Sequence, residues 1–140
     1  DCLPVLFCDN DGQSVAAAHA GWRGLAGGVL AKTVAALNES PQRLIAWLGP
    51  AIEQQAFEVG SEVREAFVKR SGDFAAAFLP NARGRWQADL YELARLELGR
   101  VGVREIYGGG YRCHADAQRF FSYRRDGQTG RMATMVWRAE

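Results

Sequence analysis

Cys2 and His19 stand seventeen residues apart, and between them lies Asp9-Asn10-Asp11-Gly12, a turn signal that separates two apolar runs at 3–8 and 14–20. If the runs pair as a hairpin around that turn, position 2 falls opposite position 19 or one diagonal step away. Strand side chains alternate with period two, so in either register both side chains point to the same face. A thiolate and an imidazole on one face suit a zinc ion, or a thiolate–imidazolium nucleophile. A small buried cysteine at a strand start and a histidine at a strand end fit the spacing equally well.

Two clusters could complete such a site. In His19-Ala20-Gly21-Trp22-Arg23-Gly24, a histidine, an indole and a guanidinium sit where a strand hands over to a helix. Strand ends are where function sits on scaffolds of this kind, and Arg23 can hold a phosphate or carboxylate bidentately. The other reading is a Trp22 anchor with Arg23 in an ion pair. The second cluster runs from Phe120 through Ser122-Tyr123-Arg124-Arg125-Asp126 to Arg131. Arginines beside aromatics can bind phosphate and stack on a base, or simply line a solvated turn. Cys113 and His114 are adjacent, so on a strand they would face opposite ways and not chelate together. Cys8 reads as core.

The elements that must position these residues follow from periodicity. Strands are expected at 3–8, 15–19, 44–48, 104–107 and 133–137. A helix is expected over 24–37, with Val29, Leu30, Val34 and Leu37 at helical spacing. Its early glycines cost about 1 kcal/mol each against alanine, which a close approach of backbone or ligand would explain. Gly49-Pro50 stops the third strand. Ser61 is expected to cap a helix over 62–70, and Asp89 one built on Leu90, Leu93, Ala94, Leu96 and Leu98. Residues 71–85 read as an irregular surface excursion. Strands and helices interleave, so the expected class is α+β with α/β-like interleaving: mixed sheets flanked by helices in one domain over 1–140.

The chain has 140 residues and a net charge of +1, enough for one core and without a basic run that would favour nucleic acid or a membrane surface. No apolar stretch is long enough to span a bilayer and no signal peptide shows. Three cysteines make an odd set with no disulfide framework, so a reducing, cytoplasmic home is expected. The sequence opens directly on an apolar strand without an initiator Met, which predicts a longer protein and site partners upstream of Asp1.

Several segments together resemble the laccase-domain family (YfiH/YlmD-like, formerly polyphenol oxidase). They are Asp1-Cys2-Leu3-Pro4, His19-Ala20-Gly21-Trp22-Arg23-Gly24, Trp47-Leu48-Gly49-Pro50-Ala51-Ile52 with Phe57-Glu58-Val59-Gly60, Phe120-Phe121-Ser122-Tyr123-Arg124-Arg125-Asp126, and Thr129-Gly130-Arg131-Met132-Ala133. The resemblance implies a zinc site of one cysteine and two histidines. Cys2 and His19 would supply two ligands, and the third would lie upstream of Asp1. It implies phosphorolysis of adenosine, inosine, guanosine and methylthioadenosine, with adenosine deamination, so that a purine nucleoside and phosphate are the expected partners. Zinc-activated water would attack C6 in the deamination. Some family members are linked to peptidoglycan editing, and an older description makes copper the metal. Arg23, Arg124 and Arg125 are phosphate candidates by residue type and neighbourhood, and Asp1 is a candidate to orient a ligand. A metal-free Cys2–His19 hydrolase or amidase is the competing reading, and copper oxidation fits poorly with two histidines. Two departures stand out. The family usually continues Gly-Pro-Ala-Ile with Gly-Pro, and this chain has Glu53-Gln54. Where the family has Cys-Thr after the glycine run, this chain has Arg112-Cys113.

Overall fold

The first hairpin is fixed by its turn. The Asp9 carboxylate accepts the Ser14 N–H at 2.7 Å and the Asp11 N–H at 3.3 Å, closing β1 (Leu3–Asp9) onto β2 (Val15–Ala20). These backbone donors, Ser14 first, hold the buried Asp9 carboxyl below its ordinary value. On β1, Leu3, Val5 and Phe7 are buried on one face, while Pro4, Leu6 and Cys8 are half-buried on the other. The computed structural model describes residues 1–139.

After β2 the chain makes two helices where the periodicity predicts one. Helix α1 (Trp22–Ala26) starts two residues earlier than expected, and α2 (Val29–Leu37) follows it. The break is at Gly28, whose φ of +76° lies in the left-handed region that interrupts an α-helix. The expected close approach is found at Gly24, where a Cβ would sit 2.9 Å from the His19 carbonyl oxygen. That lets α1 press on the end of β2.

Strand β3 (Leu44–Leu48) pairs antiparallel with β1. It is followed by β4 (Glu58–Val59), α3 (Ser61–Val68), β5 (Phe78–Pro80), β6 (Trp86–Ala88), α4 (Leu90–Arg100), β7 (Glu105–Gly108) and α5 (Tyr123–Asp126). The main sheet has the order β2-β1-β3-β7, with β3 and β7 parallel, and β4-β6-β5 form a small antiparallel sheet. The fold is α+β. No helix among the described residues is long and apolar enough to cross a membrane.

Three local expectations are corrected. Ser61 does not cap α3; Gly60 holds that position and Ser61 already lies inside the helix. Residues 71–85 are a surface excursion only in their second half, where 79–80 and 82–85 are exposed. Phe74, Ala77 and Phe78 are buried, and Phe67 packs against both phenylalanines at 5.7 and 5.8 Å. A 3-10 turn and a three-residue strand are too short to show a period, which hid them. Residues 133–137 form no strand. Their alternation is real, since Thr134 and Val136 are half-buried while Met135 and Trp137 are 74% and 75% exposed. No sheet edge among the described residues bonds their backbone, and the tail is tied instead by Arg138 Nη1 donating to the Gln13 carbonyl at 2.8 Å. Asp89 caps α4 as expected, accepting the Glu92 N–H at 3.0 Å.

Candidate metal and phosphate site

The β1–β2 register places Pro4 opposite His19 and Leu3 opposite Ala20. Cys2 is therefore one diagonal step from His19 on the same face. The two side chains meet over Gly21. A Cβ built there would lie 2.8 Å from Cys2 Sγ and 3.6 Å from His19 Nε2. Gly21 is buried with φ −65°, a conformation open to any residue, so what its identity provides is space. Cys2 and His19 are themselves exposed, so the pair opens to solvent. No protein group hydrogen-bonds the His19 imidazole among the described residues, and no cluster there of three or more His, Cys, Asp or Glu could hold a metal. Cys2 and His19 are thus a two-donor arrangement.

Asp1 does not reach back to these donors. Its carboxylate accepts the Ser122 hydroxyl at 2.7 Å and the Arg124 N–H at 2.8 Å, and its carbonyl accepts the Ile52 N–H at 2.9 Å. The Gly49-Pro50-Ala51-Ile52 bend is stitched along the same stretch by Gly49 N–H to Pro4 C=O, 2.9 Å. The Tyr91 hydroxyl holds its outer side, accepting the Ala51 N–H at 2.8 Å, and burial pushes this phenol up to about 12.

The three arginines differ in how much of their donor set is free. Arg23 lies 4.4 Å above the Trp22 ring, is exposed, and makes no hydrogen bond or ion pair among the described residues. Arg124 lies 5.3 Å from the Phe57 ring and donates once, through Nη1 to the Glu58 carbonyl at 3.1 Å. Arg125 has no donor to spare. Its Nε and Nη2 bind Asp126, Nη2 also binds the Phe120 carbonyl, and Nη1 binds the carbonyls of Cys113 and His114. All five N–H groups of that fork are committed within the chain. The residue expected to take phosphate instead ties its own loop together.

Glu53 was absent from the candidates. It is buried, and its carboxylate accepts the N–H groups of His114 at 3.1 Å and Ala115 at 3.0 Å. The signal was available: a carboxylate directly after Ala51-Ile52, where the family pattern has glycine. Cys113 is fully buried, and that burial pushes its thiol up. It packs as core, and His114 enters the loop framework through its backbone. Gly21 stands inside the His19–Gly24 segment, but its residue type alone carries no sign that the thiol and the imidazole converge over it.

Residues 1–139 match the family described as multi-copper polyphenol oxidoreductase laccase. The chain belongs to this family. Among curated relatives, a purine nucleoside phosphorylase of Pseudomonas aeruginosa is 56% identical over 138 residues, which is 98% of this chain and 57% of that protein. The purine nucleoside phosphorylase YfiH of Escherichia coli is 53% identical over 137 residues, 98% of this chain and 56% of the relative. The chain thus spans little more than half the length of these laccase-family relatives. A crystal structure of a Neisseria meningitidis protein superposes with a TM-score of 0.89 at 56% identity, covering 91% of this chain and 52% of that one.

Proposed function

We propose that this laccase-family protein is a zinc-dependent purine nucleoside phosphorylase, acting on adenosine, inosine, guanosine and methylthioadenosine, and that it also deaminates adenosine. The observation that carries the metal reading is that a thiol sulfur and an imidazole nitrogen converge over Gly21, within 2.8 and 3.6 Å of the point a Cβ there would occupy. A soft sulfur and an imidazole nitrogen are donors zinc prefers, so the residues present fit it as two of its ligands. The names of the curated relatives support the phosphorylase reading.

Zinc held by Cys2, His19 and a further ligand would supply Lewis acidity at an open coordination position. The chain's own part is to bind and orient phosphate. Arg23 offers a whole guanidinium on the helix that follows His19, and Arg124 offers its unpaired donors beside Phe57. In phosphorolysis a phosphate oxygen bonds to C1′ of the ribose as the bond from C1′ to the purine nitrogen breaks, and the departing purine keeps the electron pair and takes up a proton from solvent to leave as the free base. The arginines hold and orient the attacking anion and offset its charge.

A second reading draws on the same juxtaposition: exposed Cys2 as a nucleophile and His19 as its base, in a metal-free hydrolase or amidase. One assay separates them. The protein is incubated with adenosine and phosphate, with and without a chelator, and products are read by mass. Adenine with ribose 1-phosphate marks phosphorolysis and inosine marks deamination. Turnover that survives complete removal of zinc overturns the metal reading.

A further inference from the structure

The Asp1 carboxylate joins two segments 121 residues apart. One oxygen takes the hydroxyl of Ser122, which is 1% exposed; the other takes the backbone N–H of Arg124. The same Ser122 oxygen accepts the Arg125 N–H at 3.3 Å, closing the first turn of α5. Asp1 is covalently bound to Cys2. One side chain therefore sets where the arginine-bearing turn lies relative to the strand start that carries the thiol. From that fixed backbone Arg124 reaches the Glu58 carbonyl with Nη1, while its Nε and Nη2 have no partner among the described residues. Charge-assisted bonds to a carboxylate are stronger than neutral ones, which suits a clamp more than a passive contact.

We propose that Asp1 is a positioning residue for phosphate: it acts through Arg124, holding that guanidinium in register with the Cys2–His19 pair, and contributes nothing to metal binding. The proposal rests on the phosphorylase reading for its kinetic readout. An amide of the same shape loses the negative charge that strengthens both bonds, and it can keep the Ser122 contact only by reversing its direction, with the amide N–H donating to the serine oxygen that already accepts the Arg125 N–H.

The test uses the intact protein with adenosine as substrate and phosphate varied. Asp1→Asn raises the KM for phosphate about ten-fold, with kcat and zinc content close to wild type. In an Arg124→Ala background, Asp1→Asn adds less than about a two-fold change, since the group it acts through is gone. Ser122→Ala removes one of the two clamp bonds together with the cap on Arg125 N–H and also raises the KM for phosphate, and thermal unfolding of each variant guards against one that misfolds. Loss of zinc in Asp1→Asn overturns the proposal, as does a fall in kcat at unchanged KM, or effects that multiply in the double variant. If the wild-type protein releases no ribose 1-phosphate, the phosphorylase reading fails on its own. The clamp is then read from amide exchange at Arg124, which Asp1→Asn accelerates; unchanged exchange overturns it.

Discussion

The hairpin edge that carries Cys2, His19 and Arg23 and the loop that runs from Cys113 to Asp126 use similar residue types in opposite ways. At the hairpin edge the polar atoms are left unpaired among the described residues: none of them bonds the His19 ring, and Arg23 is steadied among them by the Trp22 face alone. In the loop the central guanidinium, Arg125, is fully spent, while Arg124 at its edge keeps donors unpaired among the described residues. Arg125 satisfies three carbonyls and a carboxylate, and Glu53 satisfies two amides from the far side. A guanidinium with all donors paired is a structural cross-link; one held by stacking alone keeps its fork for a ligand. Counting arginines in a motif does not distinguish these, and the hydrogen bonds do.

The largest effect should come from the space above Gly21. Cys2→Ala abolishes zinc binding and nucleoside turnover, measured by metal content and product release. Phosphorolysis retained in that variant sinks the zinc mechanism. Gly21→Ala tests the same point without touching a donor. Its backbone tolerates alanine, and the added Cβ must displace Cys2 Sγ from 2.8 Å. Zinc affinity should fall about 10- to 100-fold while the fold survives, as judged by metal titration and thermal unfolding. Unchanged affinity would mean that the sulfur and imidazole do not share an ion.

The contrast between arginines predicts a crossed pattern. Arg23→Ala raises the KM for phosphate about ten-fold and leaves the unfolding temperature nearly unchanged. Arg125→Ala lowers the unfolding temperature by several degrees, because it strips three carbonyls of their partner at once. If Arg125→Ala moves only the KM, the division into free and committed guanidinium is wrong.

The smallest effect lies at the hairpin turn. The Asp9 carboxyl is depressed in the folded protein, so it contributes stability above its unfolded value of about 3.9 and loses it as pH falls through its folded value. Asp9→Asn should flatten that acid limb in denaturant unfolding followed from pH 6 down to about pH 2. A limb of unchanged slope would place the acid sensitivity elsewhere.

Much of this was legible in residue patterns. Strands β1, β2 and β3 and helix α4 each have a clear period and a turn or cap residue at their ends, and the hairpin parity put Cys2 and His19 on one face. The break between α1 and α2 was not legible, because glycine is compatible with both a close contact and a left-handed turn, and here Gly24 does one and Gly28 the other. The core role of Phe74 and Phe78 was hidden in segments too short for periodicity. The partners of Asp1, Glu53 and Arg125 lie far away in sequence or on backbone atoms, where side-chain patterns carry no information.

The link between Asp1 and Ser122 also has a consequence for the order of assembly. The hairpin can close as soon as its few residues are made, since its contacts are local. The arginine turn docks only once the chain has been synthesised past residue 124, because its own half of the clamp, Ser122 and Arg124, is made long after Asp1. A nascent or prematurely ended chain would thus carry the thiol, the imidazole and Arg23 together yet lack Arg124, the guanidinium that the clamp holds in place.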